Sequence, residues 1–489
     1  MDTGGQATEV RGGAREQAER PAVPFRVTLP FSERRLLLFT IDALLVNAAV
    51  LAALWAWQRL GGGTLHRAFL LQHWLWFPFF TAAWWGLGWL FDLYEINLAG
   101  RRFEVTKQIG LAFSGFVVLY LFIFFLAPRE SLPRLFFLLF MGFAALLLLL
   151  WRWAYATLFA LPELQQHVLV VGAGGAGRTF VEMLREQESN IYQVVGFVDD
   201  DPDKQDTEIA GVPVLGDSRQ LLQLVVHHRV DKIVLAITNE MPGALFQALI
   251  DCRAKGYRVV FMPDLYQQLT RRVPVEHVNE GWVLNAMNGF TAVSRLEELA
   301  YRGLDIFFGI LGVIGLGLLL PFVALAVALD DGGDLFYTQI RSGRAGVPFY
   351  VIKLRTMRPD AEKDGKPQWA KKGDDRVTHV GKVLRKTRLD ELPQVINVLR
   401  GDMHIVGPRP ERPEFIAELE EKIPFYRTRL TVKPGLTGWA QVRYRYGNSV
   451  EDALMKLQYD LYYIRHRSPW MDIYIIFKTF GVMLRLQGV

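Results

Sequence analysis

Cysteine is almost absent from this chain of 489 residues: the one residue, Cys252, rules out an internal disulfide framework and fits a reducing compartment. A cleavable secretion signal is missing too. Residues 1–30 are polar and rich in Arg, Gly and Glu, a composition that reads as a disordered tail. No nucleic-acid-binding pattern occurs, so the net charge of +5 points to anionic lipid headgroups and phosphate ligands instead. What is abundant is apolar: hydrophobic residues make up 51% and aromatics 13%, with 13 Trp and 33 Phe. They concentrate before residue 160, which argues against one large soluble core and predicts a membrane section. A chain of this length is expected to hold two to four domains.

Four long apolar stretches, 36–57, 69–91, 109–127 and 135–158, each come near the roughly 20 residues that cross a bilayer. Basic residues flank them unevenly. Arg20, Arg26, Arg34 and Arg35 precede the first, and Arg101, Arg102 and Lys107 separate the second from the third. The other two short loops carry only Arg59 with Arg67, and Arg129 with Arg134. The positive-inside tendency places the N-terminus in the cytoplasm, and four crossings return the chain there near residue 160. With no charges read as lining a pore, the section 34–162 is expected to be an anchor or dimerisation platform rather than a transporter; a dimer is permitted, not required. Asp42 sits one turn into the first stretch, within reach of the interface, and is assigned no function.

Residues 163–295 alternate strand and helix patterns. Strands are expected at 167–171, 193–198, 212–215, 232–237 and 258–262, and helices from the glycine run 172–177 to about 187, at 218–228 and at 243–255. That order argues a Rossmann-like, doubly wound α/β domain. Gly172, Gly174 and Gly177 form a G-x-G-x-x-G between a strand and a helix, and Asp199 follows at the end of the next strand. Such a loop can hold a pyrophosphate on backbone amides. Whether it holds NAD, another nucleotide or nothing is left open. A dehydrogenase or epimerase of this fold would also need a Tyr-x-x-x-Lys pair, and none occurs between 165 and 300.

The densest chemistry lies in residues 374–410. An acidic pair, Asp390 and Glu391, follows Arg376, Lys382, Arg385, Lys386 and Arg388, and a Gly407-Pro408-Arg409-Pro410 turn comes after it. Asp374 opens the stretch, as a further acidic site residue or a partner for Arg376. Guanidinium groups grip phosphate oxygens bidentately, and a hard metal takes one or two carboxylates with substrate phosphates completing its shell. The plainer alternative is a solvated helix of mixed charge.

The surrounding blocks resemble those of the bacterial sugar transferases that move a sugar-1-phosphate onto a polyprenyl phosphate. They run from Arg302 and Asp305 through Gly333-Asp334-Leu335-Phe336-Tyr337, Phe349 to Met357, Leu389-Asp390-Glu391-Leu392-Pro393-Gln394 and Val406 to Pro410, to Val432 to Val442. The resemblance covers about residues 296–489. Three positions depart from it: Tyr301 where Lys is usual, Asp334 where Pro is frequent, and His404 where Ser is usual.

The resemblance implies a multi-domain membrane protein: a four-helix transmembrane section, a Rossmann-like middle domain, and a mainly helical α/β, monotopic catalytic domain at 296–489. The apolar run 304–329 would be about 39 Å long as a straight helix, enough to span a bilayer. Spanning would put residues 330–489 away from a cytoplasmic nucleotide-sugar, and Pro321 favours a kink or break. A re-entrant helix broken at Pro321 is therefore expected, as in the family. The implied reaction takes a UDP-hexose and undecaprenyl phosphate at the bacterial inner membrane, with the middle and catalytic domains facing the cytoplasm. It would begin exopolysaccharide, capsule or O-antigen assembly. By resemblance, Asp390 is the nucleophile and Glu391, with Asp390, holds Mg²⁺. Arg376, Arg385 and Arg409, then Lys353, Arg355 and Pro408, are the expected phosphate-binding residues. Gly435 to Gly438 with Trp439 form a turn beside the uridine or the lipid, or pack as an ordinary loop. The competing readings are a membrane-bound nucleotide-sugar epimerase or dehydratase and a non-catalytic nucleotide-sensing scaffold.

Overall fold

The computed structural model describes residues 31–61, 63–126, 134–158, 165–187, 191–238, 240–278, 281–282, 294–358, 376–444, 447 and 449–484. The tail 1–30 and Asp374 lie outside them. The chain begins with α1 (Phe31–Leu60), α2 (Arg67–Gln72), α3 (Trp76–Leu90), α4 (Ile96–Ala99), α5 (Arg102–Leu126) and α6 (Arg134–Leu158). α1 packs on α6 and α3, and Phe80, Trp84, Phe116, Phe136 and Phe140 fill the space between. Three of these helices are long and apolar enough to cross a bilayer: Glu33–Leu60, Arg102–Ile123 and Arg134–Leu158. The second apolar stretch is split into α2 and α3 by a turn at residues 73–75. Pro78 explains the split: it has no N–H to give the carbonyl of Trp74, so it sits in the first turn of a new helix.

The helical bundle is not free of internal charge. Arg152 of α6 reaches Asp42 of α1 at 2.5 Å, and both side chains are fully buried. Asp42 Oδ2 also accepts from Trp84 Nε1 at 3.0 Å and the Tyr94 hydroxyl at 3.1 Å. Asp42 thus turns inward, not to the interface, because an apolar surrounding tolerates a charge only when a partner neutralises it.

The middle section continues with β1 (Gln166–Val171), α7 (Gly175–Glu186), β2 (Tyr192–Val198), β3 (Glu208–Ile209), β4 (Val212–Gly216), α8 (Leu221–His227), β5 (Lys232–Leu235), α9 (Gly243–Ala254), β6 (Arg258–Phe261) and α10 (Met262–Thr270). The sheet order is β3-β4-β2-β1-β5-β6, parallel except for β3, a short antiparallel edge on β4. α7 and α10 cover one face, and α8 and α9 the other. The strand order reverses at β1, so a crevice opens beyond the carboxyl ends of β1 and β5, where Gly172 lies.

The last section opens with α11 (Arg295–Asp330), a helix of 36 residues started by a Ser294–Glu297 capping box. It runs through Pro321 without interruption, so the expected break does not appear in the helix. The proline removes one hydrogen bond from a ladder of 36 residues, and the turns on either side remain helical. Tyr301, Asp305, Gly309, Leu316, Val323 and Val327 form a buried stripe along one face. Phe307, Ile314, Leu318, Phe322 and Leu325 on other faces are exposed. There follow β7 (Phe336–Ser342), β8 (Pro348–Leu354), α12 (His379–Thr387), a 3₁₀ turn at Leu389–Gln394, α13 (Val395–Arg400), β9 (His404–Val406), α14 (Pro413–Lys422), β10 (Gly435–Thr437), α15 (Trp439–Arg443), α16 (Val450–His466) and α17 (Pro469–Leu484). β7 and β8 form an antiparallel hairpin, and β9 and β10 a parallel pair.

Candidate active site

Three short segments bring the charged groups together: β8, the 3₁₀ turn and the Gly407–Pro410 turn. Asn397 of α13 fixes the first, donating to the Tyr350 carbonyl at 2.8 Å and accepting the Ile352 N–H at 3.1 Å. Arg388, at φ +57°, stops α12 in a left-handed cap, and the chain tightens into the 3₁₀ turn. Pro393 in this turn has no N–H for a continued ladder. Asp390 and Glu391 therefore diverge by about 120°, not the 100° of an α-helix.

Glu391 is buried and held on two sides. Lys353 Nζ of β8 donates to its Oε1 at 3.1 Å, Arg409 Nη1 donates to its Oε2 at 3.0 Å, and Arg409 Nη2 closes the fork on Oε1. Burial works against its charge, yet Arg409 and Lys353 hold the Glu391 carboxyl well below the usual range. Asp390 is tuned the other way. Burial, then the neighbouring Glu391 charge, push its carboxyl up to about 6, against the opposing pull of Lys353, Arg409 and Arg385. Two adjacent carboxylates thus have separated acidities, the pattern by which one site divides two roles.

The sequence did not reveal what supports Arg409. Arg429, buried, donates to the Arg409 carbonyl at 3.1 Å, to Asp460 at 2.8 Å and to the Tyr426 hydroxyl at 2.7 Å. Arg341 donates to the Pro410 carbonyl at 3.2 Å. Pro408 and Arg409 line a small cleft with Ser342, Gly343 and Arg429. The Gly435–Gly438 segment packs directly on this turn: Gly407 N–H donates to the Thr437 carbonyl at 2.9 Å, and a Cβ on Gly438 would lie 2.2 Å from the Gly407 oxygen. Trp439 is buried and its indole N–H donates to the Arg271 carbonyl at 3.1 Å, so its side chain braces the fold beside this turn.

Lys353, Asp390, Glu391 and Arg409 therefore converge, with Arg385 near enough to influence Asp390. Arg385 Nε donates to Thr356 Oγ1 at 2.9 Å, and the Arg376 carbonyl accepts the Arg358 N–H at 3.0 Å, so both basic residues border the end of β8. Arg355 does not join them. It forms a two-pronged pair with Asp331, 2.7 Å on each arm, at the end of α11. The departures from the family pattern are accommodated nearby: the Arg467 guanidinium lies 4.0 Å over the Tyr301 ring, and His404 Nδ1 lies 2.6 Å from Asp305 Oδ2.

In the middle section, Gly172 (φ +105°) makes the turn after β1, and a Cβ on Gly177 would lie 2.1 Å from the Gly172 oxygen. Gly174 faces open space. Asp199 Oδ2 accepts the Ala173 N–H of this loop at 2.7 Å and lies 3.3 Å from Lys204, so its carboxylate is engaged within the protein.

Among the described residues no cluster of three or more His, Cys, Asp or Glu could enclose a metal. The donor set is Asp390 and Glu391, and both oxygens of Glu391 already accept cationic N–H groups. A metal on this pair would therefore have to share Glu391 with Arg409 and Lys353 and take the rest of its shell from substrate phosphates.

Residues 296–486 match the family described as bacterial sugar transferase, and residues 90–263 match the CoA-binding domain family. A UDP-glucose:undecaprenyl-phosphate glucose-1-phosphate transferase of Caulobacter vibrioides is 41% identical over 190 residues, 38% of this chain and 70% of the relative. The chain belongs to the bacterial sugar transferase family. It is also 35% identical over 257 residues, 52% of this chain, to a UDP-N-acetylgalactosamine-undecaprenyl-phosphate N-acetylgalactosaminephosphotransferase of Aeromonas hydrophila. A UDP-glucose:undecaprenyl-phosphate glucose-1-phosphate transferase of Escherichia coli K12 is 35% identical over 318 residues, 64% of this chain. The chain matches 59% of the length of the Aeromonas relative and 66% of the Escherichia one. Family and apolar helices together make this bacterial sugar transferase a membrane protein.

Proposed function

We propose that the protein transfers a hexose-1-phosphate from a UDP-sugar to undecaprenyl phosphate, releasing UMP, through a covalent phosphosugar on Asp390. The observation that carries this is the geometry of the pair: a half-buried Asp390 beside a buried Glu391 that the Arg409 fork and Lys353 hold in its charged form. The names of the relatives supply the substrate class.

In the first half-reaction an ionised Asp390 oxygen attacks the sugar-linked phosphorus of the donor. The bond from that phosphorus to the bridging oxygen breaks, and the electron pair leaves with UMP. An acyl phosphate carrying the sugar remains on Asp390. In the second half, an oxygen of the lipid phosphate attacks the same phosphorus, and the Asp390 carboxylate leaves. Glu391 keeps Arg409 and Lys353 aimed into the site, where they balance the charge of the incoming diphosphate. Arg385 borders the same space. Mg²⁺, held by Asp390 or Glu391 together with the donor phosphates, would neutralise the departing UMP phosphate.

The seat of α11 supports action from one side of the membrane. Its first half packs on α13, where Gly309 and Gly312 face Leu399 and Val395; Arg302 there caps the Val398 and Leu399 carbonyls at 2.9 and 2.7 Å. Its second half packs through Val323 and Val327 on Leu354 and Leu384, and Asp330 accepts the Val380 N–H at 2.9 Å. A helix bound at both ends to one polar body would drag that body into hydrocarbon if it crossed the bilayer. The proposed arrangement has residues 34–162 as anchor, 163–295 as a nucleotide-binding-type module and 296–489 as catalyst. The last two sit on the cytoplasmic face of the inner membrane, where UDP-sugars occur, and the product would start assembly of a surface polysaccharide.

The test is UMP release by purified protein with Mg²⁺ and a panel of UDP-sugars, with and without undecaprenyl phosphate. Lipid-dependent UMP release from one donor, lost in Asp390→Asn, is expected. No UMP from any donor refutes the reaction; full activity of Asp390→Asn refutes the nucleophile.

A further inference from the structure

Four residues between α3 and α4, Asp92 to Glu95, face two ways. Leu93 and Tyr94 turn into the helical bundle. The Leu93 carbonyl accepts from Arg152 Nη1 at 2.8 Å, and the Tyr94 hydroxyl donates to Asp42 at 3.1 Å. Asp92 and Glu95 turn outward to the rest of the chain. Asp92 accepts from Lys478 Nζ and the Tyr474 hydroxyl of α17, and Arg443 of α15 lies 3.8 Å away. Glu95 pairs with Arg443 at 3.0 Å and with Arg271, just past α10, at 2.6 Å. The Trp89 ring lies 4.5 Å from the Tyr474 ring, and the Arg443 guanidinium 4.5 Å from the Trp439 ring.

These are not loose surface pairs. None of the five charged side chains is more than 24% exposed. Asp92 takes a left-handed backbone, φ +61°, which an aspartate tolerates at modest cost. Burial raises the Asp92 carboxyl, but Arg443 and Lys478 outweigh it and hold the group below its usual value. Each acid meets two cations, so the three parts of the chain are fastened at one point.

Behind the fastening, α17 is tied into the body that carries the candidate site, so that body is seated as a whole. Thr479, next to Lys478, shares a hydrogen bond with Thr437 Oγ1 at 2.7 Å, and the Thr437 carbonyl accepts the Gly407 N–H at 2.9 Å. Gly407 opens the turn that carries Arg409 to Glu391.

We propose that Asp92–Glu95 is the joint that seats the catalytic section on the membrane bundle, and that Asp92 and Glu95 are positioning residues for the lipid half of the reaction. This rests on the proposed function. A UDP-sugar reaches the site from water whatever the tilt of the catalytic section. The lipid phosphate lies at a depth set by the bilayer, so only its attack depends on how that section is seated.

The test uses full-length protein in lipid nanodiscs containing undecaprenyl phosphate, and the same protein without it. Asp92→Lys is expected to lower lipid-dependent UMP turnover about tenfold, mainly by raising KM for the lipid, while the lipid-free burst of UMP keeps its rate. Adding Lys478→Asp should restore turnover. Unchanged turnover in Asp92→Lys overturns the joint; so does parallel loss of burst and turnover without rescue. If Asp92→Lys fails to fold, Asp92→Asn decides: a raised KM for the lipid with the burst rate retained supports the joint, and unchanged lipid-dependent turnover overturns it. Should the wild type release no UMP from any donor, the proposed function fails, and the joint is read instead from the melting temperature in nanodiscs: a drop in Asp92→Lys that Lys478→Asp restores supports it, and no drop overturns it.

Discussion

Lowering the pH from about 7 to about 5 is expected to slow the proposed first half-reaction about tenfold, because a carboxylate nucleophile at Asp390 would attack only when ionised. Its carboxyl sits at about 6, raised by burial and by Glu391. A group titrating there is about nine-tenths charged at pH ~7 and about one-tenth at pH ~5. The assay is a rapid-quench measurement of the UMP burst without lipid. The lipid is omitted because a phosphomonoester has its own pKa near ~6 and would overlay a second limb. Lys353→Met removes a cation that lowers the Asp390 pKa, so its limb should move to higher pH. A burst rate that stays flat over this window in folded enzyme would refute the argument, as would a limb that moves down in Lys353→Met. The same burial has a stability sign. The folded pKa of Asp390 lies above its ordinary 3.8, so the stability it contributes is present below that value and is lost as pH rises through about 6. Asp390→Asn should therefore melt higher than wild type at pH ~7 while releasing no UMP.

Glu391 has the opposite linkage: its depressed carboxyl contributes stability at neutral pH that is lost as pH falls through its folded pKa. Glu391→Gln leaves Arg409 and Lys353 without a counter-charge, so it should cost about 3–5 kcal/mol by denaturant titration and abolish the burst. Asp42→Asn strands Arg152 among apolar helices and should cost a similar ~3–5 kcal/mol, read as a lower melting temperature in detergent, while Asp42→Leu with Arg152→Met should recover most of it. Gly438→Ala forces a Cβ to 2.2 Å from the Gly407 oxygen, so UMP release should collapse even where circular dichroism shows a folded protein.

Much of the fold could be read along the chain. The middle strands and helices carry short apolar runs and glycine turns that act locally; the two-residue β3 edge and the helix α10 (Met262–Thr270) escaped notice. The acidic pair was equally visible, since its residues are adjacent. Lys353 and Arg409 were visible as site residues, but the Arg429, Tyr426 and Asp460 cluster behind Arg409 was not. Arg355 looks equivalent to Lys353 in sequence, two residues on, where a continued strand would place both on one face. β8 ends at Leu354, and the released Arg355 side chain turns to Asp331. The Gly435–Gly438 run with Trp439 left a turn beside the substrates and an ordinary loop both open; the fold adds that Gly435 and Gly438 are small to admit Gly407. Pro321 read as a break, yet the helix assignment continues through it.

Periodicity, composition and neighbouring residue types determined by themselves that this chain has apolar helices, a doubly wound sheet and an acidic pair amid basic residues. These are short-range properties, set by what each residue does to its own backbone and its nearest turns. Tertiary structure decided which charges meet. Asp42 with Arg152 is 110 residues apart, Lys353 with Glu391 is 38, and Arg443 with Glu95 is 348. A charge is alike in sequence wherever it stands. Only the fold, by excluding water and bringing one partner within hydrogen-bond reach, determines whether it becomes a locked ligand, a titrating nucleophile or a joint between domains.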